Sequence, residues 1–500
     1  MSVLRIKNNL KITNLLIIKI MTKNTLTPHQ HIAFNTLLEF LSDDEQRMAI
    51  LEGYAGTGKT FLMGEFIKIA QDKMAVCIAA PTHKALKVIC SSLEASGVNT
   101  GANSKDDMAI DLSGGMFAVY ERKQKATGLT AATVHSLLAL KMVEMENGEA
   151  ECKRDSSKIP SISEYGLVVI DESSLISSEM FDLIMTHKKH TKVLFIGDPA
   201  QLPPIGDKRN ISPVFTCVNL KVRLNEIVRQ AVDNPIIKLS MAIRSSHDKF
   251  SVTAMLNALP PLPASAACLS GSIADLVRFA VSEQQDGRDA RVLCFTNQSV
   301  VSINKQVHDV MYPGCLFGVG ERVLCYFSAG GGGDKSPFKD LDGNEVKVRL
   351  MDEFVVRSCL EAENDNGLPV MELTLETMNG EVIRSLMPTN ITAYRRVIDK
   401  VWSDYRNANA AHLMAPNHTP EKELLRREKS DLSRKAYAMR NRYPDLRHAY
   451  AMTVHRSQGS TFDTALVHYN DLNTMRSAFE FNRALYVACT RPRQYLAVVV

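Results

Sequence analysis

The chain has no Cys-x-x-Cys pair among its ten cysteines, no apolar run long enough to cross a bilayer, and almost no net charge: 59 basic against 55 acidic side chains leave +4 over 500 residues. Each absence narrows the choice. Cys77 and Cys294 lie in apolar, strand-like runs, where a reduced, buried thiol is the ordinary state, and this favours a reducing cytosol. The run from Leu15 to Ile20 is too short for a membrane span and is broken by Lys19, and no small-residue cleavage site precedes Met21. A membrane anchor and a secretory signal are therefore not expected. Residues 1–24 read as an extension, with Met21 a second candidate start. A charge of +4 does not identify a nucleic-acid binder, although the basic side chains could still line a groove. No carboxylate–histidine array of the nuclease kind stands out. At 45% hydrophobic content the chain can bury more than one core.

What is present is more specific. Gly53-Tyr54-Ala55-Gly56-Thr57-Gly58-Lys59-Thr60 follows a short strand-like run and opens an amphipathic helical pattern. Closely spaced glycines let backbone N–H groups turn toward an anion, Lys59 can reach the β- and γ-phosphates, and the Thr60 hydroxyl can ligate Mg²⁺. ATP or GTP is the expected ligand, with Gly53, Ala55, Gly56, Thr57, Gly58, Lys59 and Thr60 as its cradle. Asp171-Glu172 follows the strand Val168-Val169-Ile170 directly. Asp171 is expected to act through Mg²⁺, and Glu172 to orient or deprotonate the attacking water. Gln201, in Gly197-Asp198-Pro199-Ala200-Gln201, can sense the γ-phosphate or the water. Arg229 and Arg491 can complete a charge clamp from a second domain; taken alone, each would be an ordinary salt bridge or helix cap.

The order of elements predicts an α/β protein with two RecA-like P-loop motor domains, each built on a parallel sheet. The first spans 25–215, with a surface insertion at 97–130 and an exposed hairpin at 139–162 signalled by Asn147-Gly148. The second is divided into 216–319 and 448–500 by an inserted domain at 320–447, with strand-like stretches at 345–356 and 370–385 and then a charged helical region.

Together the motifs resemble those of superfamily 1 DNA helicases of the 5′-to-3′ class (superfamily 1B), the RecD/Dda-like group, with a layout closest to that of the small phage helicase Dda. The resemblance runs from Gln30 through the phosphate loop, Ala80-Pro81-Thr82-His83-Lys84-Ala85, Thr133-Val134-His135-Ser136-Leu137, Asp171-Glu172, Gly197 to Gln201 and Arg229, and on through Ala451 to Ser460 to Arg491. It implies that Gln30 selects adenine, that Arg229 and Arg491 contact the γ-phosphate, and that Gln458 links nucleotide state to the DNA track. Pro81, Thr82, His83, His135, Thr453 and His455 would line that track. Short hydroxyl and imidazole groups at strand ends suit phosphate contacts, and would otherwise be caps or packing residues. By the same resemblance the hairpin is a strand-separating pin, although it lacks an aromatic tip and has only Met142 or Met145 to act as a wedge, and 320–447 holds an SH3-like part.

The function so implied is ATP-dependent 5′-to-3′ translocation on single-stranded DNA with duplex unwinding by a monomer. Forked duplex DNA would be a substrate. A single-strand-binding protein, or replisome or recombination proteins, are the candidate protein partners, in a cytoplasm that would be the host's for a phage enzyme. The alternative is a DNA-stimulated ATPase or translocase that remodels protein–DNA complexes, or works inside a recombination assembly, without unwinding on its own. A kinase-like nucleotide-binding domain is disfavoured, because Arg229, Gln458 and Arg491 fall outside the single core that a kinase needs.

Overall fold

The computed structural model describes residues 26–98, 128–144, 150–155, 157–204, 206–207, 209–226, 235–251, 253, 266–269, 271–326, 336–365 and 367–500. Arg229, the Asn147-Gly148 turn and the side chains of Met142 and Met145 lie outside this description.

The first sheet is parallel throughout. Its strands are β1 (Met48–Gly53), β2 (Ala75–Ala80), β3 (Gly128–Thr133), β6 (Leu167–Ile170), β7 (Lys192–Gly197) and β8 (Leu220–Leu224), and their order is β3-β2-β6-β7-β1-β8. The central strands are apolar on both faces, as burial between two helical layers requires. Leu51, Ile78, Val169 and Ile196 pack beneath helices 28–42, 59–70 and 83–95. Their neighbours Ile50, Cys77, Val168 and Phe195 point the other way, toward helix 178–187 and the 211–218 segment. The period of two along each strand thus builds two cores from one sheet.

Two boundaries differ from the sequence reading. β8 pairs in register with β1, Ala49 opposite Leu220, so the first sheet extends past the expected division at 215/216. Residues 128–130 are not surface insertion but the start of β3, which pairs with β2 from Ala75↔Gly128 onward. Small residues and Thr in that stretch hide an edge strand from a hydrophobicity pattern. Within the expected hairpin, β4 (Leu140–Glu144) and β5 (Ala150–Arg154) form an antiparallel ribbon.

The chain then forms β9 (Ala266–Leu269) and β10 (Ala290–Cys294) and enters a six-stranded antiparallel sheet. That sheet comprises β11 (Arg322–Cys325), β12 (Phe338–Lys339), β13 (Glu353–Asp365), β14 (Leu368–Thr377), β15 (Val382–Pro388) and β16 (Leu446–His448), in the order β12-β15-β14-β13-β11-β16. The strand expected at 345–356 begins only at Glu353. Between β15 and β16 stand two long helices, Ile391–Met414 and Pro420–Arg442, the second nearly all polar on its surface. The chain returns through β17 (Ala451–Thr453), β18 (Phe462–His468) and β19 (Pro492–Val499), which with β10 and β9 make a second parallel sheet, β17-β10-β18-β19-β9. The protein therefore has two parallel-sheet, RecA-like motor units. Among the described residues no helix is long and apolar enough to cross a membrane.

Candidate functional site

The phosphate loop turns at the C-terminal end of β1. Gly56 and Gly58 take φ of 81° and 80°, a left-handed conformation that suits residues without a Cβ. A Cβ at Gly53 would sit 2.8 Å from Thr57 Oγ1 and 3.1 Å from Lys59 Cγ, so the loop closes tightly only around glycine. Helix 59–70 starts without a side-chain cap, leaving its first N–H groups to an anion. Thr60 is exposed at its second position. Lys59 Nζ donates to the carbonyls of Gly53 (2.7 Å) and Tyr54 (2.9 Å). Desolvation lowers its pKa, while Asp198, Asp171 and Glu172 act to raise it. The ammonium thus stands among three carboxylates.

Asp171 and Glu172 emerge where β6 ends, and the Asp171 amide donates to Ala79 O at 2.9 Å. Withdrawal from water and then the charge of Glu172 push the Asp171 carboxyl up to about 7. Glu172 has φ of 50°, a left-handed conformation that costs a non-glycine residue about 1–3 kcal/mol. Ser173 holds the turn: its buried hydroxyl donates to Ile170 O (2.9 Å) and accepts from Ile196 N (3.2 Å), tying β6 to β7. Gln201 is anchored beside it, its Oε1 accepting from Ser174 Oγ at 3.2 Å.

Other expected residues gather here with different partners. Gln30 lies against the phosphate loop, donating from Nε2 to Thr57 O (3.1 Å), while its Oε1 accepts from Thr27 N in a helix-capping box (3.0 Å). Both ends of the amide that the resemblance gives to adenine are thus engaged within the protein. Arg491, buried on the second motor unit, donates to Val487 O (3.0 Å), Ser460 O (3.2 Å) and Thr490 Oγ1 (3.1 Å). Its guanidinium caps the end of helix 478–489 and also feels the charges of Glu172 and Asp198. Gln458 is buried with Nε2 unpaired, and the Ser460 hydroxyl is likewise unpaired. Between them, Gly459 takes φ of +71° so close to the first motor unit that a Cβ there would lie 3.0 Å from Ala85 Cβ.

Sequence reasoning missed the residues that join the two units. Tyr486 donates to Asp198 Oδ2 (2.5 Å) and accepts from the phosphate-loop amide of Ala55 (3.3 Å). Arg244 pairs with the other Asp198 oxygen at 2.5 Å and covers the Tyr54 ring at 4.0 Å. Arg483 donates to Gln201 O at 2.7 Å. No spacing rule places these together, because they converge only when two separate sheets meet; the one sequence signal was that Asp198 ends a buried strand.

The candidate track residues stand at matching edges of the two sheets. Thr133 ends edge strand β3 and Thr453 ends edge strand β17. Each hydroxyl accepts from the third amide of a one-turn helix, and each helix carries its histidine, His135 or His455, at the second position. Thr82 caps helix 83–95 in the same way, after the buried Pro81. Partial desolvation, then the positive charge of Arg349, holds His83 below its ordinary pKa; desolvation alone dominates for His135 and His455. At neutral pH these imidazoles are uncharged hydrogen-bonding groups.

Residues 25–258 match the family described as an AAA domain, and 448–499 match the UvrD-like helicase C-terminal domain. The chain is an ATP-hydrolysing enzyme. The first match covers the unit built on β1–β3 and β6–β8, and the second covers the closing strands of the other unit. Over 550 aligned residues it is 21% identical to "Uncharacterized protein R530" of Acanthamoeba polyphaga mimivirus, covering 94% of this chain and 99% of that protein. It is 25% identical over 194 residues to the ATP-dependent RecD2 DNA helicase of Deinococcus radiodurans, and 30% identical over 162 to the RecBCD subunit RecD of Haemophilus influenzae. Those two stretches span 38% and 31% of this chain but only 21% and 22% of the relatives. Among solved structures, the Pif1 helicase of Bacteroides bound to single-stranded DNA superposes with a TM-score of 0.48 at 17% identity, covering 95% of this chain and 92% of that one.

Proposed function

We propose that this ATPase is a 5′-to-3′ DNA helicase that moves along single-stranded DNA and separates the duplex ahead of it. The observation that carries the reading is the Tyr486 hydroxyl, bonded at once to the phosphate-loop amide of Ala55 and to Asp198. Through it the nucleotide cleft and the second motor unit share one hydrogen-bond network, so occupation of the loop must alter how the two units meet. The cradle suits ATP: left-handed glycines, an uncapped helix start and a lysine among carboxylates all lie at one cleft. Thr60 and Asp171 are the residues that would hold Mg²⁺, which when bound screens charge on the phosphates. Glu172 would orient the attacking water, and Lys59 and Arg491 would oppose the charge that develops on the transferred phosphoryl group. Arg229 keeps the same assignment from sequence, and Arg244 joins it as a candidate.

The paired Thr-Val-His termini at equivalent sheet edges suit alternating grip on successive phosphates of one strand, with little reading of bases. In this account the β4–β5 ribbon is the pin, the six-stranded sheet is the SH3-like part of the accessory domain, and the working unit is a monomer. A viral source fits the end-to-end match to the mimivirus protein, which does not narrow it to a phage. A forked duplex tests the reading against translocation without unwinding. ATP-dependent strand release supports it, whereas DNA-stimulated ATPase without release favours the remodelling alternative.

A further inference from the structure

Away from the nucleotide cleft, three residues remote from one another in sequence converge where the inserted sheet joins the second motor unit. His308 lies in the last turn of helix 297–311, Glu321 precedes β11 at the entry to the insert, and His448 ends β16 at its exit. β11 and β16 pair with Val323 opposite His448, so entry and exit lie side by side. His308 Nδ1 (3.0 Å) and His448 Nδ1 (2.7 Å) both approach the same oxygen of Glu321, Oε1, and the two rings stack with centroids 4.1 Å apart. Glu321 and His308 are 1% and 4% exposed.

The hydrogen bonds around this cluster do not close with neutral groups. His308 Nε2 faces the Cys315 carbonyl at 2.9 Å, and its Nδ1 faces a carboxylate; both partners only accept. A neutral imidazole has one N–H. If that hydrogen serves Cys315, the Nδ1 lone pair points at a carboxylate oxygen and needs positive charge between them. An imidazole that donates one N–H to a backbone carbonyl while its other nitrogen faces a carboxylate oxygen shared with a second imidazole is arranged as metal-binding histidines are. Tyr450 also stands beside the cluster, its ring 6.4 Å from that of His448 and its hydroxyl turned toward Glu321. The three candidate ligand atoms all lie within 4.8 Å of one another. A tetrahedral site with ligand bonds of about 2.0–2.2 Å needs them about 3.3 Å apart, a change of a few tenths of an ångström at the two short contacts.

We propose that His308, Glu321 and His448 bind a divalent ion of the zinc class, which clips the inserted domain to the second motor unit where the chain leaves and re-enters it. Two imidazoles and a carboxylate are ligands that zinc accepts, with the fourth position left to water, and Glu321 and His308 are buried. The rival occupant is a proton that makes His308 an imidazolium.

Zn²⁺ is the probe, added to the full chain after exhaustive chelation. The expected result is uptake of one Zn²⁺ per chain, a higher melting temperature, and visible d–d bands of a four-coordinate centre when Co²⁺ replaces it. Glu321→Gln and His448→Ala should each weaken Zn²⁺ binding at least about tenfold. Because either variant could unfold, the decisive arm is the wild-type chain. Folded wild type that takes up no stoichiometric Zn²⁺, keeps its melting temperature and gives Co²⁺ no such bands would overturn the proposal in favour of the proton. Uptake that both folded variants retain unchanged would overturn it too.

Discussion

Replacing Arg491 separates its two possible roles. The guanidinium donates to two buried carbonyls and a threonine hydroxyl. Hydrogen bonds made by charged groups contribute about 1.5–3 kcal/mol each, and carbonyls left without a donor add their own cost. Arg491→Ala should therefore destabilise the second motor unit by roughly 3–5 kcal/mol, enough to lower its melting temperature by roughly 5–15 °C. Were capping its whole role, turnover per folded molecule would not change. If it also opposes the charge developing during phosphoryl transfer, DNA-stimulated turnover should fall by a factor on the order of 10³–10⁵, less where Arg229 or Arg244 shares the load. Arg491→Lys should recover part of the melting temperature, since an ammonium can still reach one carbonyl, but little of the rate, since it cannot make a planar multidentate contact. The assay is saturated ATP turnover with single-stranded DNA, well below both melts and normalised to folded protein. Turnover in Arg491→Ala within about twofold of wild type would remove this residue from the catalytic set.

Lys59→Ala should nearly abolish turnover while sparing single-stranded DNA affinity, and Glu172→Gln should bind ATP–Mg²⁺ yet hydrolyse it slowly; wild-type single-turnover rates in either would refute its assignment. Asp171 is held up to about 7 when folded against an ordinary 3.8, so between these values the folded chain keeps a proton that the unfolded chain releases, and stability should fall as pH rises through that window. With Asp171 as the proposed Mg²⁺ ligand, protons would compete with the ion for it, so apparent Mg²⁺ affinity should fall as pH drops through the range in which the folded carboxyl takes up its proton; affinity that does not fall on acidification would contradict this. Glu353 accepts from Lys84 of the first motor unit (3.0 Å) and from the buried Arg291 of the second (2.9 Å). Burial alone would raise its pKa, but these cations hold it at about 2. Glu353→Gln should cost about 3–5 kcal/mol in a melt, since it leaves Arg291 under-compensated, and an unchanged melt would show that this three-way contact is not stabilising.

Most of the nucleotide cleft was legible because phosphate chemistry demands a fixed local spacing: Gly53 to Thr60 and Asp171-Glu172 each lie on one strand–turn unit, and local patterns survive in sequence. The same holds for β2, β6 and β7, whose unbroken apolar runs announce a buried parallel sheet. β3 and β8 were not legible, because edge strands bury little and carry small or charged residues such as Gly128, Lys221 and Arg223. Nor could the sequence reveal that Tyr486, Arg244 and Asp198 share a network, or that His308, Glu321 and His448 meet, since those juxtapositions arise from tertiary packing alone. Arg491 shows the converse: its motif was evident, but its capping hydrogen bonds appear only in the fold.

Directional unwinding driven by ATP is read most directly from tailed duplexes. Duplexes of one sequence carrying a single-stranded tail at the 5′ end, at the 3′ end, or at both as a fork should be incubated with the enzyme, Mg²⁺ and ATP, and strand release followed with time. Release is expected from the 5′-tailed and forked duplexes, with none from the 3′-tailed one and none from any of them with Lys59→Ala. Release confined to the 3′-tailed and forked duplexes would reverse the polarity, and vigorous DNA-stimulated ATP hydrolysis without release from any duplex would contradict the helicase assignment.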